Sequence, residues 1–291
     1  MSGAEAGAVG TNGPDSVASA PGSGTTVAGG TIATTVTTAA SGTIGHLNPA
    51  IGLNITQFSV IHALMAGLYD GVFPAEQVLA KGDFGIGCGE ALNGELVFVD
   101  GLIYRCTSDG RVSLVDETER VPFAEVVDFV PTLSVRLGDD GPLDREAFES
   151  RVSSLMPSAN LFYAIRLEAE FDRMLVREPI RQHHPFKPLI EAMKTQAESE
   201  LGETSGSLIG FWAPGIYQGI SVAGFHFHYL DDARAVGGHS LDYTIASGTL
   251  TMQAMSSLTL RLPHTPEFGA ADFEGIDNDM AIRRVESASA H

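Results

Sequence analysis

Positive charge is scarce in this sequence. Lysine and arginine total 17 against 36 aspartates and glutamates in 291 residues, a formal net charge of −19 at pH 7. Such a surface repels phosphate backbones and anionic lipid headgroups, so neither nucleic acid nor membrane is expected as a partner. No run of about 18 or more apolar residues occurs, which excludes the simplest membrane-spanning helix. The residues before the first basic side chain, Lys81, lack the basic start and apolar core of a secretory signal, and a cytoplasmic location is the expectation. Cysteine occurs only at Cys88 and Cys106, too few for a disulfide scaffold and without the paired spacing of a thiolate zinc site. Lysine is restricted to Lys81, Lys187 and Lys194, each in a loop or helix context without a site motif, which disfavours Schiff-base chemistry.

Apolar residues, by contrast, make up 44% of the chain, enough for a substantial core. They are unevenly spread. Residues 1–44 are rich in Gly, Ala, Ser and Thr and read as a disordered tail. Phe58, Ile61, Met65 and Leu68 then recur at helical spacing behind a possible cap at Thr56, predicting a helix that ends near Gly71. PAEQVLAK predicts a second short helix, and Gly82, Gly85, Gly87 and Gly89 predict a Gly-rich loop around Cys88. From Glu95 the pattern becomes strand-like, with a tight turn at Asp109-Gly110. NLFYAIRLEAEF alternates with the period of a strand, PLIEAMKTQAESE reads as helix, and SLIGFWAP, GISVAGFHFHYL, HSLDYTIASGTL and MQAMSSLTLRLP read as successive strands. The expected fold class is α/β (α+β): a helix-plus-sheet domain over 45–155, a largely antiparallel sheet domain over 156–263 carrying the functional site, and an acidic tail over 264–291.

The chemistry concentrates in GFHFHYLDDARAVGGHSLDY. His226 and His228 are two apart and therefore share a strand face, and DDARAVGG can reverse the chain to bring His239 beside them on the next strand. Three neutral imidazoles with an open position are what a catalytic zinc-type site requires, and zinc is the expected ion, with other divalent transition metals as alternatives. An H-x-H pair alone is weak, and solvated histidines on a sheet face are the competing reading. Asp231 and Asp232 lie in the presumed turn and are expected to be solvated. The other histidines are scattered, and Cys88 is expected to be a packed thiol.

In ALMAGLYDG, GDFGIGCGEALNGELVFVDGLIYR, PFAEVVDF, NLFYAIRLEAEF, KPLIEAMKTQ, GFWAPGIYQGISVAGFHFHYLDD and GGHSLDY, taken in order over residues 56 to about 262, the chain resembles the acetolactate decarboxylase family. The resemblance implies conversion of 2-acetolactate to acetoin and carbon dioxide, a metal on His226, His228 and His239, two sheet-centred domains, and a homodimer. It also implies a glutamate at Glu95, a second glutamate from the C-terminal tail at Glu286, and an arginine, placed at Arg177 in MLVREP with Arg166 in YAIRLE as the competitor. Taken alone, Glu95 reads as a solvated strand start, Glu286 as an exposed charge, and either arginine as a structural ion pair. Cys88 replaces a usual threonine and Ala223 stands where proline is common, but neither departure removes a proposed ligand.

Loss of carbon dioxide from a 2-hydroxy-3-keto acid leaves an electron pair that must be delocalised, a task for a metal-polarised ketone, with an arginine on the carboxylate and a glutamate managing the proton. A cupin-like metal oxygenase or hydrolase, or a binding module with a purely structural metal, are the alternatives.

Overall fold

The computed structural model describes residues 54–273 and Ile282, all within one compact unit. The expected tail over 1–44 and the candidate Glu286 lie outside the described residues. In chain order, Asn54–Phe58 (β1), the helix Ile61–Met65 (α1), Phe73–Pro74 (β2), the helix Ala75–Leu79 (α2), Phe84–Cys88 (β3), Glu95–Val99 (β4), Leu102–Thr107 (β5), Arg111–Leu114 (β6), Arg120–Val121 (β7) and Phe123–Val127 (β8) form the first half. Leu133–Leu137 (β9), Leu143–Asp144 (β10), the helix Arg145–Leu155 (α3), Phe162–Glu178 (β11), the helix Leu189–Ala192 (α4), Ala197–Leu201 (β12), Thr204–Ala213 (β13), Gly224–Asp231 (β14), Gly237–Met255 (β15), Ser257–Arg261 (β16) and the helix Pro266–Ala270 (α5) follow.

The strands assemble an α+β fold. One sheet has the order β16-β1-β8-β3-β4-β5-β6 and is mixed, because β16 runs parallel to β1. The other, antiparallel, has the order β10-β15-β14-β13-β11-β12, with β9 also on β15. Within it β11 pairs β13, β13 pairs β14, β14 pairs β15, and β15 returns to β11, so four strands close a ring. The expected boundary at 155/156 does not coincide with the division between sheets. β9 and β10 pair with β15, Phe148 and Val152 of α3 pack into the second sheet's core, and β16 returns to the first sheet.

Several expectations are corrected. The helix expected behind Thr56 begins only at Ile61, because NITQF finds partners on both sides in β16 and β8, pairings that no local window contains. Ser59, at a φ of 68°, ends the strand. Cys88 closes a strand rather than sitting in a loop; a side chain at Gly85 would come within 2.0 Å of the Glu125 carbonyl oxygen, so that glycine serves close strand approach. The helix in PLIEAMKTQAESE stops early and AESEL is the edge strand β12. HSLDYTIASGTL and MQAM form one 19-residue strand, β15. The helix α3 was missed, although its signals are present: Asp144 Oδ1 accepts from Ala147 N–H at 2.8 Å as an N-cap, and Phe148, Val152 and Leu155 are spaced for one buried face.

The two sheets meet face to face. Val97 and Val99 of β4 share a buried cluster with Ile209, Phe211 and Leu230 of the second sheet. Gln57 of β1 adds a polar tie: its Nε2 donates to the carbonyls of Ser59 at 2.8 Å and Ile220 at 2.7 Å, and its Oε1 accepts from Ser221 Oγ. The Gln57 and Ser221 side chains are both buried, so their bonding is obligatory. It fixes the segment just before β14 against the first sheet.

Candidate active site

Alternation along β14 sends His226 and His228 to the face that meets the first sheet, while Phe227 and Tyr229 enter the second sheet's own core. His239 of β15 is the direct cross-strand partner of His228 and, on its other side, of Arg177 on β11. Gly210 of β13 permits this packing: a side chain there would stand 1.9 Å from the His226 carbonyl oxygen. The three imidazole centroids lie 5.0, 5.3 and 5.6 Å apart, and one nitrogen from each ring lies within 4.8 Å of the others.

All three rings are buried. His228 Nδ1 lies 2.8 Å from the Leu96 carbonyl oxygen, an acceptor, so Nδ1 carries the proton and Nε2 keeps its lone pair for the cluster. Burial first, and then the Arg177 charge, push the His226 imidazole down to about 3. His228 is held well below its ordinary value by burial, then by His226 and Arg177, against the Leu96 bond. Neutral imidazoles gathered with converging nitrogens are the form in which histidine binds a metal, and the residues fit such an ion.

The first sheet supplies the opposite wall. Glu95, the first residue of β4, is only 8% exposed, and its Oε2 lies 3.7 Å from His228 Nε2. That excludes the solvated strand start considered from sequence. Cys88, its cross-strand partner on β3, faces the same cavity, and both cysteines are buried. The cavity encloses about 480 Å3 of non-atom space, its open mouth included. Arg177 and the histidines form its polar side, and Ile61, Leu64, Leu92, Phe123, Leu189 and Met193 an apolar side. None of those six is expected from sequence to line a site, because an apolar side chain lining a cavity carries the same pattern as one filling a core.

Arg177 and Arg166 are 11 residues apart on β11, and simple alternation would put them on opposite faces. Register shifts near Phe171 and Arg173 reverse the phase: Tyr163, Ile165, Leu167 and Phe171 point into the second sheet's core before them, Met174 and Val176 after. Both arginines therefore turn toward the first sheet, at sites on the order of 30 Å apart along the strand. Arg177 is 3% exposed and lines the cavity with the histidines. Arg166 pairs with Asp100 at 3.1 Å and Glu168 at 2.8 Å near the surface and does not join the cavity lining. Asp231 stays out of the cluster too, its Oδ1 accepting from the N–H groups of Ala235 and Val236 in the turn.

A family model, Alpha-acetolactate decarboxylase, matches residues 55–275. The chain is 37% identical over 234 residues to the alpha-acetolactate decarboxylase of Bacillus subtilis, covering 80% of this chain and 91% of that one. Its identity to the enzyme of that name from Methylococcus capsulatus is 39% over 233 residues, 80% of this chain and 88% of the other. The crystal structure of the Bacillus subtilis alpha-acetolactate decarboxylase superposes with a TM-score of 0.79 at 36% identity, covering 81% of this chain and all of that one.

Proposed function

The chain belongs to the alpha-acetolactate decarboxylase family, and from that premise we propose that it converts 2-acetolactate to acetoin and carbon dioxide at a divalent metal held by His226, His228 and His239. The observation that carries the metal-dependent reading is the convergence of three buried imidazoles, with ligand nitrogens within 4.8 Å of one another. A metal bound there supplies a Lewis acid for the electron pair released with carbon dioxide, and the all-imidazole donor set favours zinc.

The chain's own residues do the rest. Arg177, on the cavity wall beside His239, holds the substrate carboxylate through charge-assisted hydrogen bonds, which fixes the bond to be broken. Glu95 delivers a proton to the carbon that carried the carboxylate, the lost bond's electron pair becoming the new C–H bond. The apolar wall excludes water from the carbanion-like species before that proton arrives. Glu286 is the second proton-handling group in this reading. Ile282 supports it: its side chain is 1% exposed and packs with Ile61, Leu64, Leu92, Phe123 and Leu189, four residues upstream of Glu286 and within about 14 Å of extended chain. A homodimer and a cytoplasmic location complete the reading, checked by sedimentation and cell fractionation.

The deciding experiment measures acetoin from racemic 2-acetolactate before and after chelation. Acetoin formation that a chelator abolishes and added zinc restores is the expected result. Turnover indifferent to chelation would remove the metal from the mechanism, and absence of acetoin would remove the substrate assignment. Oxygen consumption would point instead to an oxygenase.

A further inference from the structure

Cys88 and Glu95 face each other across the β3–β4 hairpin, and the segment between them is not an ordinary turn. Ala91 and Leu92 are successive non-glycine residues in the left-handed region, at φ of 56° and 54°, followed by Gly94 at 89°. L side chains resist that conformation, and it persists where the surroundings over-determine it. Here they do. Ala91 N–H donates to the Tyr69 carbonyl at 2.8 Å, and the Ala91 carbonyl accepts from Gln182 N–H at 2.7 Å. Tyr69 follows α1 and Gln182 follows Arg177 by five residues, so two segments outside the hairpin clamp its tip. Gly89 N–H donates to the Gly94 carbonyl at 2.9 Å and closes its base.

The result of this clamping is the position of one side chain. Leu92 is 3% exposed, lines the cavity beside Glu95, and packs with Ile61, Leu64 and Leu189. Because Ala91, the residue before it, is held from both sides and the Leu92 carbonyl accepts from Gly94 N–H at 2.8 Å, the Leu92 backbone resists displacement when a larger group enters. We propose that Leu92 is a specificity-determining residue, setting how large an alkyl substituent the cavity accepts on the carbon that loses carbon dioxide. The inference rests on the decarboxylase reading above. That carbon bears a hydroxyl, a carboxylate, an acyl group and one alkyl group. The polar side of the cavity serves the three oxygen-bearing groups, and the alkyl group is left for the apolar wall.

The test compares kcat/KM of the metal-loaded full chain for the 2-methyl, 2-ethyl and 2-propyl members of the 2-hydroxy-3-keto acid series. Leu92→Ala opens the wall and is expected to raise the ethyl-to-methyl and propyl-to-methyl ratios about tenfold or more, the usual scale for one methylene in an apolar pocket. Leu92→Met keeps the volume but replaces a branched side chain by a flexible one. It moves the ratios in the same direction by less and decides the matter if the alanine variant does not fold. Ratios that stay at the wild-type value, or a uniform loss on all three substrates, would overturn the proposal, since a structural role moves every substrate equally. Failure of the wild-type chain on the whole series would instead bring down the decarboxylase reading, and this proposal with it.

Discussion

The two sheets that enclose the cavity do different work with different architecture. The second sheet contributes the three imidazoles and Arg177 from strands of 8, 17 and 19 residues, locked in a closed ring of pairings. The first contributes Cys88, Leu92 and Glu95 from two five-residue strands and the clamped turn between them. The imidazoles proposed to hold one ion sit on long strands where cross-strand register fixes their relative positions. Of the groups proposed to meet the substrate, Arg177 shares that ladder, whereas Glu95 and Leu92 sit on short elements whose placement depends on neighbours such as Tyr69 and Gln182. The proposed metal ligands and Arg177 are thus set mainly by their own ladder, whereas the wall that carries Glu95 and Leu92 depends on how the sheets dock.

The comparison breaks most visibly at the imidazoles. His226→Ala, His228→Ala and His239→Ala are each expected to lose stoichiometric zinc, measured by elemental analysis, together with detectable acetoin formation. Retention of both in all three would end the metal assignment. On the first sheet, Glu95→Gln should keep the metal yet lower kcat by about 10²–10⁴-fold, the usual worth of a positioned acid or base. A loss of metal in that variant would erase the division of labour between the sheets. Arg177→Ala sharpens the contrast within the second sheet, because it should keep the metal while losing most turnover.

A smaller effect is expected at Glu178, which burial raises from 4.5 to about 7. An acid whose folded value lies above its unfolded one favours the folded state fully below about pH 4, and that contribution is lost as pH rises through 7. Glu178→Gln cannot ionise and should therefore stabilise the fold at pH 8 but not at pH 4, by at most about 3.5 kcal/mol at roughly 1.4 per pKa unit, read as a rise in Tm at the higher pH only. Equal shifts at both pH values would show that the carboxyl is not held neutral. Smallest of all, Arg166→Ala removes only partly exposed ion pairs to Asp100 and Glu168 and should change stability by less than about 1 kcal/mol and leave kcat/KM near wild type. A large loss of turnover there would reopen the choice of arginine.

Much of this arrangement was legible in the chain. Two-residue spacing put His226 and His228 on one face, the Gly-rich reversal brought back His239, and alternation revealed most of the second sheet's strands. What escaped has physical causes. The β1 strand looked helical because its partners, β8 and β16, are about 70 and 200 residues away. β12 sat inside a helical pattern because an edge strand that is half exposed needs few apolar residues. Arg177 and Arg166 could not be ranked by parity, since Met174, Leu175 and Val176 are apolar in succession and hide the phase in which β11 resumes after its bulge.

By itself, the sequence determined the acidic charge, the candidate histidine triad and the resemblance that leads to a decarboxylase, because charge, side-chain chemistry and strand period are local properties. Only the tertiary structure decided that Glu95 is buried beside His228, that Arg177 and not Arg166 lines the cavity, and that Leu92 is driven into its wall. Each of those facts depends on the docking of one sheet against the other, and docking is set by long-range packing that no stretch of adjacent residues encodes.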